Sequence, residues 1–267
     1  MCRSPAVCVS TKPCASVPSE PTAGAQALES AIAWVRQARH IAVLTGAGVS
    51  AESGVPTFRD AQTGYWAQFR PEDMATPEGF RAHPQQVWDW YQFRRSLVAQ
   101  VQPNGAHRAL AAFAQQHPER ITLVTQNVDG LHQRAGSPQV LCLHGDLLRN
   151  RWLDLPCPHC DLENTVDAHP PYCDACGNRV RPDVVWFGEP LPLAVLDAAQ
   201  AAARTCDLML VMGTAGAVYP AAGLAHSARA AGARVVVVNT AASALDDVAH
   251  AVVRSPAAQA LPVLLSV

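Results

Sequence analysis

The sequence predicts an α/β fold in which a doubly wound parallel sheet carries a small cysteine-rich insertion. Short, continuous apolar runs alternate along the chain with segments of helical periodicity. Such alternation is typical of parallel strands that are buried on both faces and joined by helices. Polar or glycine-rich residues follow each run directly, and in an open parallel sheet ligands bind at the carboxyl ends of the strands. Between about residues 147 and 185 the alternation stops, and two Cys-x-x-Cys pairs appear.

Length and composition favour one large domain with a small insertion. The chain has 267 residues, a formal net charge of −2 and 16% charged residues, below the roughly 25% usual in soluble domains. Because this gives no basic surface field, we expect no direct binding of nucleic acid. No apolar run approaches the ~20 residues that span a bilayer, and the N-terminus lacks the apolar stretch of a secretory signal. We therefore expect a cytoplasmic monomer that does not associate with membranes.

Residues 1–24 are predicted to be a disordered tail, because they show no periodicity and too little apolar bulk to fold. Three cysteines lie in this tail, at positions 2, 8 and 14. Their irregular spacing favours incidental thiols over a metal or redox site. The predicted Rossmann-like domain comprises residues 25–146 and 186–267, and residues 147–185 form a separate inserted module.

Apolar periodicity predicts the elements of the Rossmann-like domain. Leu28, Ile32 and Val35 recur at helical spacing and predict a helix over residues 25–39. Further helices are expected over residues 85–102, after Asn104, and over residues 221–231. Strands are predicted over residues 41–45, 121–124, 140–143, 207–212 and 235–238.

The loop after the first strand has a glycine-rich pattern that suggests phosphate binding. Gly46 and Gly48 would let backbone N–H groups approach an anion closely, and residues 50–53 would open a helix whose dipole faces it. A Gly-x-Gly after a strand is a weak pattern, so a plain tight turn stays open as the alternative. The segment just past the loop contains Phe58 and Arg59. An aromatic ring and a guanidinium at this place suggest chemistry at the bound cofactor itself.

Candidate catalytic groups follow the next two strands. Asn127 and Asp129 come after the second predicted strand, and His144 follows the third. Because the imidazole pKa lies near neutrality, His144 is suited to take a hydroxyl proton at pH 7. For Asn127 and Asp129, an Asx-turn that caps the strand end is the plain alternative. Three residues after the last strands are expected to line the same crevice: Gly213, Thr214 and Asn239.

The four cysteines of the insertion have the spacing of a tetrahedral zinc site built from two knuckles. They are Cys157, Cys160, Cys173 and Cys176. The twelve residues between the pairs are slightly fewer than usual. His159 and His169 are alternative ligands, and free thiols are the plain alternative. A closed site of four thiolates leaves no open position for water, so the zinc is expected to be structural.

The first loop, from Gly46 to Arg59, resembles the signature loop of the sirtuins, the NAD-dependent protein lysine deacylases. Further motifs match that family in the expected order along the chain. They are Thr125-Gln126-Asn127-Val128-Asp129-Gly130-Leu131-His132, Leu143-His144-Gly145, the four cysteines, Trp186-Phe187-Gly188-Glu189, Gly213-Thr214 and Val238-Asn239. The similarity runs from about Ala25 to the C-terminus. It implies NAD and zinc as cofactors and acylated-lysine proteins as substrates.

For the reaction, the resemblance implies that the acyl-lysine carbonyl oxygen attacks the anomeric ribose carbon of NAD as nicotinamide leaves. His144, which matches the family's catalytic histidine, would then activate a ribose hydroxyl that attacks the resulting imidate. Water finally releases lysine and O-acyl-ADP-ribose. Asn127 and Asp129 match residues around the nicotinamide. His132 belongs to the same matched segment and is interpreted as structural.

Other cofactor contacts are implied in the same way. Gln126 matches a ribose contact, Phe58 matches an aromatic that covers the reactive sugar face, and Arg59 lies where it can approach the phosphates. The cofactor-binding set implied by the resemblance is Gly46, Ala47, Gly48, Glu52, Phe58, Arg59, Gln126, Asn127, Asp129, Gly213, Thr214, Ala215, Asn239 and Thr240. Ala215 stands where the family has serine, and Ala241 where it often has an acidic residue or proline. The lost hydroxyl should weaken adenosine binding by ~1 kcal/mol.

The expected acyl preference rests on Tyr91 and Arg94. Positions i and i+3 of a helix share a face, so a phenol donor and a guanidinium fork can converge on one carboxylate. From spacing alone, a core Tyr91 with a solvated Arg94 is the favoured interpretation. The Tyr-x-x-Arg arrangement nevertheless resembles the motif of class III sirtuins, which remove succinyl, malonyl and glutaryl groups. Ala75 matches a small residue that leaves room in their acyl pocket.

Two functions other than deacylation stay open. An ADP-ribosyltransferase would use the same activation of NAD but let a protein side chain intercept the ribose. A non-enzymatic zinc-ribbon interaction module on a vestigial nucleotide fold is disfavoured, since His144, Asn127 and Asp129 are all present. The preferred interpretation is an NAD-dependent deacylase that removes succinyl or malonyl groups and also acetyl groups.

Overall fold

The structure is a computed structural model, and it describes residues 23–56, 69–154, 157, 161–162 and 165–266. Most of the predicted tail, with its three cysteines, lies outside the described residues. So do Phe58, Arg59, His159 and Cys160, and the roles assigned to them stay predictions. The first helix already begins at Ala23, two residues inside the predicted tail.

The large sheet has six strands, and all of its strand pairs are parallel. The strands within the described residues are β1 (Ile41–Thr45), β2 (Ile121–Thr125), β3 (Leu141–Cys142), β4 (Gly145–Trp152), β5 (Val180–Val184), β6 (Leu208–Met212), β7 (Arg234–Val238) and β8 (Ala251–Val253). The large sheet has the order β3-β2-β1-β6-β7-β8, so the direction of winding reverses between β1 and β6. The predicted doubly wound sheet is confirmed, and its ligand crevice belongs at this reversal.

Helices cover both faces of the large sheet. The described helices are α1 (Ala23–Gln37), α2 (Ala47–Ala51), α3 (Pro71–Met74), α4 (Pro77–Ala82), α5 (Pro84–Gln100), α6 (Gly105–Gln116), α7 (Leu131–Arg134), α8 (Leu193–Thr205), α9 (Gly223–Ala230) and α10 (Ala257–Leu264). Ile41 and Val43 face a core formed with α1, α6 and α10, while Ala42 and Leu44 face one formed with α8 and α9. β1 is a continuous apolar run because both of its faces are buried. None of the helices in the described part of the chain is both long and apolar enough to cross a lipid bilayer.

A second, smaller sheet begins directly after β3, where the chain leaves the large sheet and pairs β4 with β5 in antiparallel register. The turn requires Gly145. Its φ is +82°, and a Cβ there would lie 2.1 Å from the Asp183 carbonyl oxygen. The Val185 N–H donates to the His144 carbonyl at 2.9 Å. His144 therefore lies at the junction of the two sheets, and α5 packs on the smaller one.

Candidate active site

The loop between β1 and α2 packs directly on the end of β6, and this contact explains its glycines. The Gly46 N–H donates to the Met212 carbonyl at 2.9 Å, and the Gly48 N–H donates to the Gly213 carbonyl at 2.8 Å. A Cβ at Gly48 would lie 2.8 Å from the Gly213 oxygen. At Gly213, where φ is +58°, a Cβ would lie 2.5 Å from the Val49 nitrogen. The glycines therefore let two strand-end backbones touch each other.

One detail predicted for this loop is wrong: the helix begins at Ala47 instead of Ser50, with Gly46 in an extended conformation before it. Gly46 alone separates β1 from this helix. Its N–H still donates to β6, so the hydrogen bonds between β1 and β6 continue up to the start of the helix. The amides of Gly46 and Gly48 themselves donate to carbonyls at the end of β6. Contact between an anion and other N–H groups of the loop stays a prediction. The assignment of these residues to the cofactor site stays a prediction.

An open cavity of about 290 Å³ lies beside this contact, at the strand reversal. Its walls are formed by Gly48, Ala51, Glu52, Gly213, Val238, Asn239, Thr240, Ser255 and Ala257. Small-molecule sites usually measure roughly 300–1,000 Å³, so this volume suits one part of a dinucleotide. The Glu52 carboxylate also accepts from the Ala258 N–H at 3.2 Å, which caps the start of α10.

Thr214 links the two sides of the crevice. Its hydroxyl oxygen accepts from Gln126 Nε2 at 3.2 Å, and its carbonyl accepts from Asn239 Nδ2 at 3.2 Å. Ala215 is exposed next to it and offers no side-chain donor. The structure thus brings together the polar residues that follow β2, β6 and β7.

A buried polar cluster, here called the Ser50–Asn127–Asp129 cluster, lies at the ends of β1 and β2. Asn127 Nδ2 donates to Ser50 Oγ at 2.9 Å and to the Gly46 carbonyl at 3.1 Å. Ser50, which is 2% exposed, also bonds the Asp129 carboxylate. Sequence reasoning did not assign Ser50 to the site. Its position at the end of Gly-Ala-Gly-Val-Ser was the available signal.

Asp129 serves both the site and the local backbone. Its Oδ1 accepts from the Leu131 N–H at 2.9 Å, so the Asx-turn interpretation is correct for this residue. A carboxylate has about four lone-pair sites, which leaves acceptor capacity for a ligand. Burial raises the pKa of Asp129, while hydrogen bonds from Ser50 and Leu131 and the charges of Arg94 and Arg134 oppose that rise.

His144 has one imidazole nitrogen fixed by the backbone. Its Nδ1 lies 3.0 Å from the Gln126 carbonyl oxygen, which accepts a hydrogen bond, so Nδ1 carries the hydrogen and Nε2 is the basic nitrogen. Burial lowers the pKa of His144, and the bond to Gln126 opposes this shift. The neutral imidazole, which a general base requires, is therefore the dominant form at pH 7.

The predicted acyl-binding residues share one apolar cluster. Ala75, Tyr91 and Trp186 belong to it, and Tyr91 is fully buried. Arg94 Cζ lies 5.0 Å from the centre of the Trp90 ring and 5.9 Å from that of the Tyr91 ring. The interpretation of a core Tyr91 with a solvated Arg94 is half correct. Tyr91 is in the core, but Arg94 is partly buried instead of fully solvated, and this burial lowers its pKa.

Trp186 holds the Tyr91 hydroxyl in place. The Trp186 Nε1–H donates to Tyr91 Oη at 2.7 Å. The Arg181 Cζ stacks 3.4 Å from the centre of the Trp186 ring, and its guanidinium binds both carboxylate oxygens of Glu189, at 2.5 and 2.9 Å. Glu189 also accepts from the Trp186 backbone N–H at 2.8 Å. An ion pair that begins on β5 thus positions the residues around Tyr91.

Three of the four predicted zinc ligands come together. The sulfurs of Cys157, Cys173 and Cys176 all lie within 4.8 Å of one another, and His169 does not belong to this described cluster. Zn–S bonds of about 2.3 Å in a tetrahedron place sulfurs about 3.8 Å apart, and Cys157 Sγ lies 3.5 Å from Cys176 Sγ. The thiols fit zinc, which would tie two loops of the insertion together without taking part in the chemistry.

We predict one structural zinc ion per chain, measurable by atomic absorption. Cys173→Ser should lower the zinc content, because it removes one thiol of the cluster. It should also lower the Tm, because Cys173 is 1% exposed and packs against Trp88 and Trp152. Cys142→Ser is the matched control, since its thiol lies outside the cluster and its loss should leave zinc bound. A metal-free protein with full activity and an unchanged Tm would contradict a structural zinc site.

Fold and site together define a class of protein: an enzyme with a nucleotide-type sheet, a candidate base at the sheet edge and a small thiolate metal module. A family model described as Sir2 family matches residues 46–220. The chain belongs to the Sir2 family.

Relatives and solved structures agree with this membership. A protein from Ralstonia nicotianae named NAD-dependent protein deacylase is 57% identical over 242 residues, covering 91% of this chain and 97% of that protein. The crystal structure of a Sir2 homologue in complex with NAD is similar with a TM-score of 0.78 and 38% identity, covering 89% of this chain and 92% of that one. A structure of Sir2 bound to acetylated peptide has a TM-score of 0.77 and 28% identity, covering 90% and 97%. The predicted family, fold class and use of NAD are confirmed.

Proposed function

We propose that this chain is an NAD-dependent protein-lysine deacylase that prefers acyl groups ending in a carboxylate, such as succinyl and malonyl, and also accepts acetyl. Family membership and 57% identity to a protein named NAD-dependent protein deacylase support the deacylation. Acylated-lysine proteins as substrates are inferred from the related Sir2 bound to acetylated peptide. The acyl preference is carried by one observation: the partly buried guanidinium of Arg94 lies beside the buried phenol ring of Tyr91.

NAD supplies the ribose carbon that accepts the acyl oxygen, and the chain's own residues orient the reactants. We assign nicotinamide to the Ser50–Asn127–Asp129 cluster. Both hydrogens of the Asn127 amide group already go to Ser50 and Gly46, so its Oδ1 is the atom left to accept from a carboxamide. Asp129 has acceptor capacity for the same group. Two acceptors at fixed positions would orient the ring.

His144 is assigned the role of general base. Its Nδ1–H donates to the Gln126 carbonyl, so Nε2 is available to take a proton from a ribose hydroxyl. Gln126, whose side chain bonds Thr214, belongs to the crevice wall. The same residue therefore connects the base to the cofactor side of the site.

A terminal acyl carboxylate would find two donors in the cluster around Tyr91. Tyr91 Oη accepts from Trp186, so its own hydrogen is left to donate. Burial raises the pKa of Tyr91, which keeps the hydroxyl protonated at neutral pH. The Arg94 guanidinium adds charged N–H donors, and its partial burial strengthens its attraction for a carboxylate. Ala75, in the same cluster, matches the small residue that leaves room for a longer acyl chain in class III sirtuins.

A panel of peptides that differ only in the acyl group on one lysine tests this proposal. Succinyl, malonyl, glutaryl, butyryl and acetyl peptides are incubated with NAD, and the products are identified by mass. We expect one nicotinamide per acyl group lost, and a higher kcat/KM for succinyl than for butyryl, which has the same number of carbons but no carboxylate.

Three other outcomes of the same assay would contradict parts of this proposal. A succinyl rate no higher than the butyryl and acetyl rates would refute the carboxylate preference but keep the deacylase. A gain in mass of one ADP-ribose, without loss of acyl, would indicate an ADP-ribosyltransferase. Failure to release nicotinamide from NAD with any peptide would refute the enzymatic proposal.

A further inference from the structure

Two buried histidines lie close to the Ser50–Asn127–Asp129 cluster. His107 on α6 and His132 on α7 are 0% and 1% exposed, and their ring centroids are 4.7 Å apart. Each ring has one nitrogen without a hydrogen-bond partner in the described part of the chain: Nε2 of His107 and Nδ1 of His132. Buried polar atoms are nearly always hydrogen-bonded, so two unpartnered nitrogens on neighbouring rings require an explanation.

Neighbouring groups give these two nitrogens opposite roles. The Asn104 N–H donates to His107 Nδ1 at 3.3 Å, so the hydrogen of the neutral ring is on Nε2. Thr45 Oγ1 donates its single hydrogen to Thr125 Oγ1 at 2.8 Å. It must therefore accept from His132 Nε2 at 3.0 Å, which leaves His132 Nδ1 without a hydrogen. The two unpartnered nitrogens are thus one donor and one acceptor.

Both rings are neutral at pH 7, as this tautomer assignment requires. Burial lowers the pKa of His107 to about 4, and the charge of Arg108 adds to this effect. Burial likewise lowers the pKa of His132 to about 3, with His107 as a further cause.

We propose that His107 Nε2–H donates to His132 Nδ1 after a small adjustment of the two neighbouring rings, since the two nitrogens are not hydrogen-bonded in the arrangement described. The two rings would then act as one unit that positions Asn127. The Asn127 N–H donates to Thr125 Oγ1 at 3.0 Å. A continuous series of hydrogen bonds then runs from Asn104 through both imidazoles and the two threonines to the Asn127 backbone.

The other end of this series is attached to the loop that holds the Asn127 side chain. Asn104 Nδ2 donates to the Val49 carbonyl at 2.8 Å and to Ser53 Oγ at 2.9 Å. Ser50, between them, accepts from Asn127 Nδ2. The series therefore connects the backbone and the side-chain contacts of Asn127 in one closed path. The histidines are positioning residues, and the inference rests on the proposed binding of nicotinamide beside Asn127.

Isosteric variants test the series. In His107→Asn the amide oxygen replaces Nδ1 and keeps the bond to Asn104, but the Nε2–H donor is lost. In His132→Gln the amide nitrogen replaces Nε2 and keeps the bond to Thr45, but the Nδ1 acceptor is lost. Each should raise the KM for NAD about tenfold, the effect of one hydrogen bond. The affinity for ADP-ribose, which lacks nicotinamide, and the KM for the acyl peptide should stay unchanged.

The double variant and the tautomers of the wild type distinguish the proposed hydrogen bond from a role of the two histidines in packing alone. Since both substitutions remove the same bond, the double variant should raise the KM for NAD no further than either single variant. In wild type, ¹⁵N NMR should show the Nε2–H tautomer for both rings, with neither titrating across neutral pH. The tautomers are measured without any substitution, so the test survives a variant that fails to fold.

Asn127→Ala, measured in parallel, separates two kinds of failure. If it leaves the KM for NAD unchanged, the proposed nicotinamide site is wrong whatever the histidines do. If it raises that KM while His107→Asn and His132→Gln do not, the histidine pair does not position Asn127. Equal losses of NAD and ADP-ribose affinity, additive effects in the double variant, or an Nδ1–H tautomer on either ring would also overturn the inference.

Discussion

His144→Ala should lower kcat/KM for an acyl-lysine peptide by roughly 10²–10⁴, the usual effect of removing a general base. The Tm and the affinity for NAD should stay close to those of the unmodified chain. His144 contributes one bond from Nδ1 to the Gln126 carbonyl, and both residues are partly exposed, so water can replace the imidazole. Initial rates at saturating NAD, together with calorimetric NAD binding, measure both quantities.

His226→Ala is the matched control, because His226 is exposed on α9, away from β2 and β3. It should leave kcat/KM unchanged. Normal turnover by His144→Ala would contradict the assignment of the base, and equal losses in both variants would show a general sensitivity to substitution.

The pH dependence of the wild type gives an independent check on the same residue. The base acts in its neutral form, so kcat/KM should fall as the pH drops through the pKa of His144. Burial lowers that pKa below the value of about 6.5 of an exposed imidazole, so the rate should hold to a more acidic pH than a solvated histidine would allow.

The strand-end groups could be predicted from the sequence because parallel strands leave few places for them. β1 and β2 are short apolar runs, and the residue that follows such a run must lie at the carboxyl edge of the sheet. The positions of Asn127 and His144 therefore follow from two apolar runs in the sequence and from the rule that strand ends of a parallel sheet share one edge. β8 was missed, since its three residues are too few for periodicity to show.

The reason why positions 46 and 48 are glycine could not be predicted from the sequence in the same way. A local pattern shows that Gly46 and Gly48 allow a close approach, but it does not show what approaches. The partner is the backbone at Gly213, which arrives from β6 after a long stretch of intervening chain. Phosphate-loop patterns and backbone contacts between neighbouring strand ends use the same residue type for the same steric reason.

Ser50 and the histidine pair were missed for a related reason. Among ten histidines, nothing in the order of residues shows that His107 and His132 meet, because α6 and α7 are separated by β2 and their packing is not visible in a local pattern. The interpretation of His132 as structural agrees with its burial and its bond to Thr45. Which nitrogen of each ring lacks a partner becomes visible only when all neighbours are in place.

Arg94→Met should lower kcat/KM for a succinyl-lysine peptide by roughly 10- to 150-fold, the equivalent of one hydrogen bond to a charged group. The activity on acetyl-lysine should change little, because acetyl has no charge to leave unpaired. Methionine keeps an unbranched apolar chain against the rings of Trp90 and Tyr91 but offers neither charge nor donors. Rates with succinyl and acetyl peptides of one sequence are measured in the same variant.

The ratio of the two activities isolates the carboxylate from other effects of the substitution. Arg94 also lowers the pKa of Asp129, so its loss will alter the NAD side of the site, but this effect is common to both substrates and cancels in the ratio. Arg95→Met is the matched control on the same helix. Its guanidinium donates to the Leu147 carbonyl at 2.7 Å and stacks on Trp88, so it supports the small sheet and should lower both activities alike. An unchanged ratio in Arg94→Met would show that Arg94 also supports only the fold, whereas a ratio that falls in this variant alone places its guanidinium at the acyl carboxylate.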